Sequence, residues 1–140
     1  DNTRMSINSD LDFSTNGRKE NIRRVAEIAK LLNDAGVVVI TAFISPFAED
    51  RATAKKIIGD DCFVEVFVDT SLELCMERDA KGLYEKALNG ELLDFTGISS
   101  PYEQPENPNF IAYTASQKPE DTAQVIFSQL DFILNKLPIN

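Results

Sequence analysis

Val37-Val38-Val39-Ile40-Thr41-Ala42-Phe43 is an unbroken apolar, largely β-branched run. Such a run suits a strand covered on both faces, as in a parallel sheet. Before it, residues 18–35 place Ile22, Val25, Ala26, Ala29 and Leu32 at helical spacing, and Gly36 supplies the stop. After it, residues 48–58 read as a second helix ending near Gly59, and residues 63–68 as another buried strand ending at Asp69. Residues 71–78 read as a short helix with Thr70 or Ser71 near its N-cap, and residues 81–89 as a further one. Residues 97–109 hold Pro101, Pro105 and Pro108 and read as irregular. Residues 110–114 suit a last short strand. Pro119 suits the first turn of a terminal helix with an apolar face of Val125, Ile126, Leu130, Ile133, Leu134 and Leu137. This alternation predicts an α/β fold with a parallel sheet and right-handed crossovers. No repeat or linker interrupts it, so residues 1–140 read as a single domain.

Composition narrows the function. A length of 140 residues with 43% apolar side chains is enough to bury a core. The net charge of −9 argues against nucleic-acid partners and anionic membranes, which call for basic surfaces. It leaves room for a small anion held by a few converging cations. The absence of histidine removes Ser-His-Asp, Cys-His and His-ligated metal chemistry. Catalysis must then rest on Asp, Glu, Lys, Arg, Ser or Tyr. Cys62 and Cys75 lie in apolar stretches without a CxxC pair and are expected as buried free thiols of a reducing compartment. No apolar run approaches the roughly 18 residues of a spanning helix. The first residue is Asp rather than Met, and the sequence is expected to begin inside a longer protein.

Ligands of open parallel sheets bind beyond the carboxyl ends of the strands. That selects Phe43-Ile44-Ser45-Pro46, Asp69-Thr70 and the segment 114–117. Ser45 has two readings, a ligand contact or a plain Ser-Pro turn. Arg18 and Asn21 share a helix face, and with Arg23 and Arg24 they crowd cations at a helix start. They either form a solvated helix start or hold an anion that offsets the unfavourable helix dipole. Phe13 and Phe95, flanked by polar residues, are either purine-stacking rings or satellite core. Arg78-Asp79-Ala80-Lys81-Gly82-Leu83-Tyr84 reads as a mobile cationic lid over an anionic ligand.

Taken in order, several segments resemble the adenylylsulfate kinase (APS kinase) family over nearly the whole chain. They are Asp1-Asn2-Thr3-Arg4, Leu11-Asp12-Phe13-Ser14, Arg18-Lys19-Glu20-Asn21-Ile22-Arg23-Arg24, Phe43-Ile44-Ser45-Pro46, Asp50-Arg51 and Glu65-Val66-Phe67-Val68-Asp69. They continue with the lid run, Phe95-Thr96-Gly97-Ile98, Pro101-Tyr102-Glu103 and Pro105-Glu106-Asn107-Pro108. One tetrapeptide is a weak match; the ordered set is specific.

The resemblance implies a three-layer parallel α/β sheet of the P-loop nucleoside triphosphate hydrolase type. It implies transfer of the ATP γ-phosphoryl group to the 3′-hydroxyl of adenosine 5′-phosphosulfate (APS), with Mg²⁺, giving PAPS and ADP in sulfate assimilation. Asp1 matches the second Asp of a DGDN-x-R motif beside the ribose hydroxyl, which implies a catalytic role in orienting that nucleophile or accepting its proton. Arg4, Arg18 and Asn21 match residues that hold the phosphosulfate and nucleoside. Phe13 and Phe95 match the pair that sandwiches adenine. Ile44 and Ser45 match a substrate contact, with direct in-line transfer preferred over a phosphoserine. Lys81 matches the lid lysine over the phosphates and Arg78 a charge-stabilising neighbour. Ala115, Ser116 and Gln117 match the edge of the ATP adenine site. The family further implies a cytoplasmic homodimer, in some members fused to or associated with ATP sulfurylase.

Three departures stand out. None of the six glycines opens a Gly-x-x-x-x-Gly-Lys-Ser/Thr loop, so the N-terminal P-loop unit is expected to be lacking from these residues. Met5-Ser6-Ile7 stands where His-Gly-Leu is common, and Asp94 where Gly is common. Two explanations follow. Either these residues continue an ordinary kinase, or they belong to a non-catalytic, kinase-like regulatory domain of an ATP sulfurylase. Another nucleotide kinase of similar fold is a third reading, which the lid and Phe95-Thr96-Gly97 oppose.

Overall fold

A computed structural model describes residues 2–134, with side chains described as far as residue 130. The chain divides into two compact units, Asp1–Phe63 with Pro101–Gln104, and Val64–Ser100 with Pro105–Asn140.

The first unit is built on two helices, α1 (Thr15–Asp34) and α2 (Ala48–Ile58). Helix α1 starts three residues before the sequence pattern suggests, because Ser14 caps it. The Ser14 hydroxyl accepts from the Gly17 N–H at 3.1 Å, and Asp12 Oδ1 accepts from both the Ser14 N–H and its hydroxyl. A Cβ on Gly17 would run into the Asp12 side chain and carbonyl, so this entry turn requires glycine. The helix closes with Gly36 N–H on the Asn33 carbonyl and Val37 N–H on that of Leu32, a Schellman ending. Ile22, Ala26 and Ala54 form the core between the helices, with Phe43, Ile57, Ile58 and Phe63 against them.

The run 37–43 is not a strand in the structure. Val38 is 65% exposed and Ile40 91%. A strand exists only as part of a hydrogen-bonded ladder. The first unit has no other strand among its described residues, so β-propensity here has nothing to pair with. Phe43 alone turns into the core.

The second unit contains β1 (Val66–Asp69), α3 (Leu72–Arg78), α4 (Leu83–Leu88), β2 (Phe110–Tyr113) and α5 (Pro119–Leu134). The strands pair in parallel, Val66 opposite Phe110 and Asp69 opposite Tyr113. This is the parallel α/β arrangement the sequence predicts, with strands less covered than expected. Val68 and Tyr113 are exposed, since each strand has one neighbour and full burial needs cover on both faces. Ser71 is the N-cap of α3, its hydroxyl accepting from the Leu74 N–H. Helix α4 begins at Leu83 rather than residue 81 because Gly82 takes a left-handed conformation, φ 63°.

On α5, Thr122 is buried with Ile126 and Leu130 beside it, while Val125 is exposed. The apolar face is therefore rotated from the one the sequence suggests. Ile133, Leu134 and Leu137 fall outside the described side chains. The cysteines are also more open than expected: Cys62 is exposed and Cys75 half-buried, and both are free thiols. Cys62 ends a short 3₁₀ turn, Asp60–Cys62, with no buried residue. No helix among the described residues is long and apolar enough to cross a membrane.

Candidate active site

In the first unit Arg4, Phe13 and Arg18 form a cationic corner at the entry to α1. The Arg4 guanidinium donates to the carbonyls of Leu11 and Asp12 at 3.1 and 2.9 Å. It also lies over the Phe13 ring, 4.2 Å from the centroid. Arg18 Nε donates to the Phe13 carbonyl at 2.8 Å. Burial, and then the nearby Arg18 charge, lower the Arg4 pKa, only partly offset by Asp12. Two cations held close enough to disfavour each other make a place where an anion would be welcome. Phe13 is 64% exposed, which removes the satellite-core reading.

Arg23 and Arg24 do not belong to this corner. Arg23 pairs with Glu20 and Glu27, and Arg24 forks onto Asp10 at 2.7 and 2.9 Å while also meeting Glu20. The compensation that the sequence assigns to a bound anion comes, for these two, from carboxylates. Glu20 accepts from both arginines, and Arg23 first and Arg24 second pull its pKa down to about 2.

Asn21, on α1 itself, is buried, 3% exposed. Its Oδ1 accepts from Nδ2 of the fully buried Asn8 at 3.0 Å. Asn8 thereby holds the Asn21 carboxamide by its oxygen. Asn8 lies in none of the segments that carry the resemblance, and sequence reasoning gives it no role. Asp1 lies outside the described residues.

Ile44 and Ser45 sit in the turn into α2. Ile44 is exposed, and Ser45 has φ 42°, a conformation that non-glycine residues rarely adopt. A clamp far away in sequence holds it there. Arg51 donates to the Ser45 carbonyl and to the Glu103 carbonyl, both at 2.7 Å. Glu103 in turn accepts from the Ala48 N–H through its carboxylate and donates its own N–H to the Pro46 carbonyl. The Arg51 guanidinium faces the Tyr102 ring at 5.9 Å. Arg51, Tyr102 and Glu103, from matched motifs without an assigned task, thus turn out to build the Ser45 turn.

In the second unit Arg78 reaches the end of β2. Its Nη2 donates to the Thr114 carbonyl at 2.9 Å, beside exposed Ala115, Ser116 and Gln117. Gln117 Oε1 accepts from the buried Thr122 hydroxyl at 3.1 Å. Thr70 and Thr114 share a hydrogen bond across the strand ends. The structure therefore brings Arg78 and the segment 114–117 together. Lys81 is exposed on the turn between α3 and α4.

Phe95 follows Asp94, which has φ 54°. Its carbonyl accepts from the N–H groups of Ile98, Ser99 and Ser100, and its own N–H donates to the Ser99 hydroxyl. Gly97, at φ 89°, sits where a side chain strains the backbone, and a Cβ there would press on Leu72 Cδ1 at 2.9 Å. The Phe95 ring meets Tyr84 edge-on at 5.1 Å and 77°.

A family model described as adenylylsulphate kinase matches residues 1–112. The adenylyl-sulfate kinase of Clostridium acetobutylicum is 52% identical over 130 residues, which is 93% of this chain and 64% of that protein. The bifunctional enzyme NodQ of Rhizobium meliloti is 51% identical over 131 residues, 94% of this chain and 20% of that protein. Among solved structures, the Mycobacterium tuberculosis APS kinase CysC in complex with AMPPNP and APS superposes with a TM-score of 0.87 at 45% identity, covering 93% of this chain and 76% of that one. The chain thus spans just under two thirds of the Clostridium kinase and a fifth of the bifunctional enzyme. With a matched model over most of its length and half of its residues shared with named kinases, the chain belongs to the adenylylsulphate kinase family.

Proposed function

We propose that this protein transfers the γ-phosphoryl group of ATP to the 3′-hydroxyl of adenosine 5′-phosphosulfate. The 3′-oxygen forms a bond to the γ-phosphorus, the bond from that phosphorus to the β,γ-bridging oxygen breaks, and ADP leaves. The hydroxyl proton passes to the Asp1 carboxylate. The observation that carries the reading is the corner of Arg4, Arg18 and exposed Phe13, which offers two cations and a ring to a ligand with an anionic tail and a purine. The structural relative bound to AMPPNP and APS supports that ligand pair.

Phosphoryl transfer needs positioning and charge neutralisation more than covalent help. Arg4, Arg18 and the NH₂ of Asn21 hold the phosphosulfate and nucleoside. Phe13 and Phe95 each supply a ring to adenine, and Ile44 and Ser45 fix the substrate through the clamped turn. Lys81 neutralises charge on the transferring group, helped by Arg78, and Ala115, Ser116 and Gln117 border the ATP adenine. Mg²⁺ is the expected companion of ATP. No group of three or more Asp, Glu, His or Cys among the described residues could hold a metal ion, so no step is assigned to it.

The sequence contains no Gly-x-x-x-x-Gly-Lys-Ser/Thr loop. We propose that residues outside these 140 supply that cradle and complete the sheet as one domain with 1–140. The 140 residues alone are then inactive. The same reading makes the protein a cytoplasmic homodimer acting in sulfate assimilation. The bifunctional relatives support fusion to a second enzyme, expected to be ATP sulfurylase. A coupled ADP-release assay on the protein at its complete natural length tests the reading. ADP release should depend on APS, and Lys81→Ala should lower kcat with the thermal midpoint retained. APS-dependent release at background would overturn it.

A further inference from the structure

The turn between α3 and α4 is not a loose tether. Its centre is the Asp79 carboxylate, which accepts from three successive backbone N–H groups: Leu83 at 2.8 Å and Tyr84 at 3.1 Å on Oδ1, and Glu85 at 3.0 Å on Oδ2. Those are donors of the first turn of α4 that no helical carbonyl can satisfy. The Gly82 N–H closes the same turn on the Asp79 carbonyl at 2.8 Å, and the Asp79 N–H returns to Cys75 on α3. The arrangement fixes where Tyr84 leaves the backbone.

Tyr84 then joins three parts of its unit. It stands on α4, its ring meets the Phe95 ring edge-on at 5.1 Å, and burial, then the nearby Cys75 thiol of α3, push its phenol pKa up. Phe95 is fixed from the other side by its own loop, through the Ser99 hydroxyl and the three N–H groups on its carbonyl. The backbone sets where the ring starts, but not how it rotates. Tyr84 presents its ring to Phe95 edge-on, and an edge-to-face pair has a preferred orientation.

We propose that Tyr84 is a positioning residue for Phe95, through which the Asp79-capped turn sets how the Phe95 ring receives the purine of the acceptor nucleotide. The inference rests on the reading that Phe95 stacks on adenine. It makes a specific division: Tyr84 governs the acceptor nucleotide and leaves the affinity for ATP alone.

The test is steady-state kinetics of Tyr84→Leu, Tyr84→Phe and Phe95→Ala in the protein at its complete natural length, with APS and MgATP varied separately. An aromatic pair contributes enough for Tyr84→Leu to raise the KM for APS about three- to tenfold, with the KM for ATP within about twofold. Tyr84→Phe keeps the ring edge and should restore the APS KM to within about twofold of the parent, though it loses the phenol hydroxyl. Asp79→Ala should move the APS KM in the same direction as Tyr84→Leu. An equal loss of kcat with all KM values unchanged, or Tyr84→Phe as impaired as Tyr84→Leu, would overturn the proposal. If Phe95→Ala raises the APS KM and Tyr84→Leu does not, the positioning role fails while stacking by Phe95 stands. If Phe95→Ala itself leaves the APS KM unchanged, the stacking reading fails and takes the proposal with it.

Discussion

Replacing Arg51 with Met tests whether the Ser45 turn is held by the clamp. The substitution keeps much of the aliphatic stem and removes the two hydrogen bonds to the Ser45 and Glu103 carbonyls, each 2.7 Å. It also removes the guanidinium from the Tyr102 ring. Hydrogen bonds from a charged donor contribute about 1.5–3 kcal/mol each, and partial solvent exposure puts these two near the lower end. The ring contact adds about 0.5–1 kcal/mol at an exposed site. Together the loss is roughly 3.5–4 kcal/mol, which for a domain of this size lowers the thermal midpoint by about 12 °C. Ser45, at φ 42°, would then be free to leave a conformation that costs of order 1–3 kcal/mol to hold. The KM for APS should therefore rise as well. Arg51→Lys keeps the charge but loses the fork, and should fall between the two in both measurements. Thermal melts and APS titrations of the two variants give the answer. A midpoint for Arg51→Met within about 2 °C of the parent would refute the clamp as the element that orders this turn.

Two further outcomes follow from the first unit. Glu20 is depressed to about 2, first by its hydrogen bond from Arg23 and then by that from Arg24. A depressed carboxylate stabilises above its unfolded value of about 4.3 and loses that contribution as pH falls through the folded value. The Glu20→Gln variant should therefore show a flatter stability profile than the parent between about pH 4.5 and 2, read by urea unfolding at stepped pH; parallel profiles would contradict it. Asn8→Ala leaves Asn21 Oδ1 buried without its donor, and removing a buried partner costs about 1–3 kcal/mol. Urea unfolding should show that loss, and a change below about 0.5 kcal/mol would show that the pair is not needed.

The sequence makes the helices legible because each carries its own evidence. The spacing of Ile22, Ala26 and Ala29 places α1, and all three are buried. Ser71 marks the start of α3, and its hydroxyl is bonded as a cap should be. Where a feature depends on a distant partner, the sequence is silent or misleading. The run 37–43 has strand composition, but composition cannot supply a neighbouring strand. Arg51 meets Glu103 across 52 positions, and nothing local announces that contact. The cations at the start of α1 look alike in sequence; only the structure separates Arg18, beside Arg4 and Phe13, from Arg23 and Arg24, which face Glu20 and Asp10. Asp94 is the opposite case. Its departure from the family's glycine is visible in the sequence, and its φ of 54° explains why glycine suits that position.

The central claim is the identity of the phosphorylated atom, and phosphorus NMR of the reaction tests it most directly. Incubating the protein at its complete natural length with MgATP and APS should produce a new 3′-phosphomonoester resonance in step with ADP, at one equivalent each. ADP without that resonance, or no conversion of APS at all, would contradict the account.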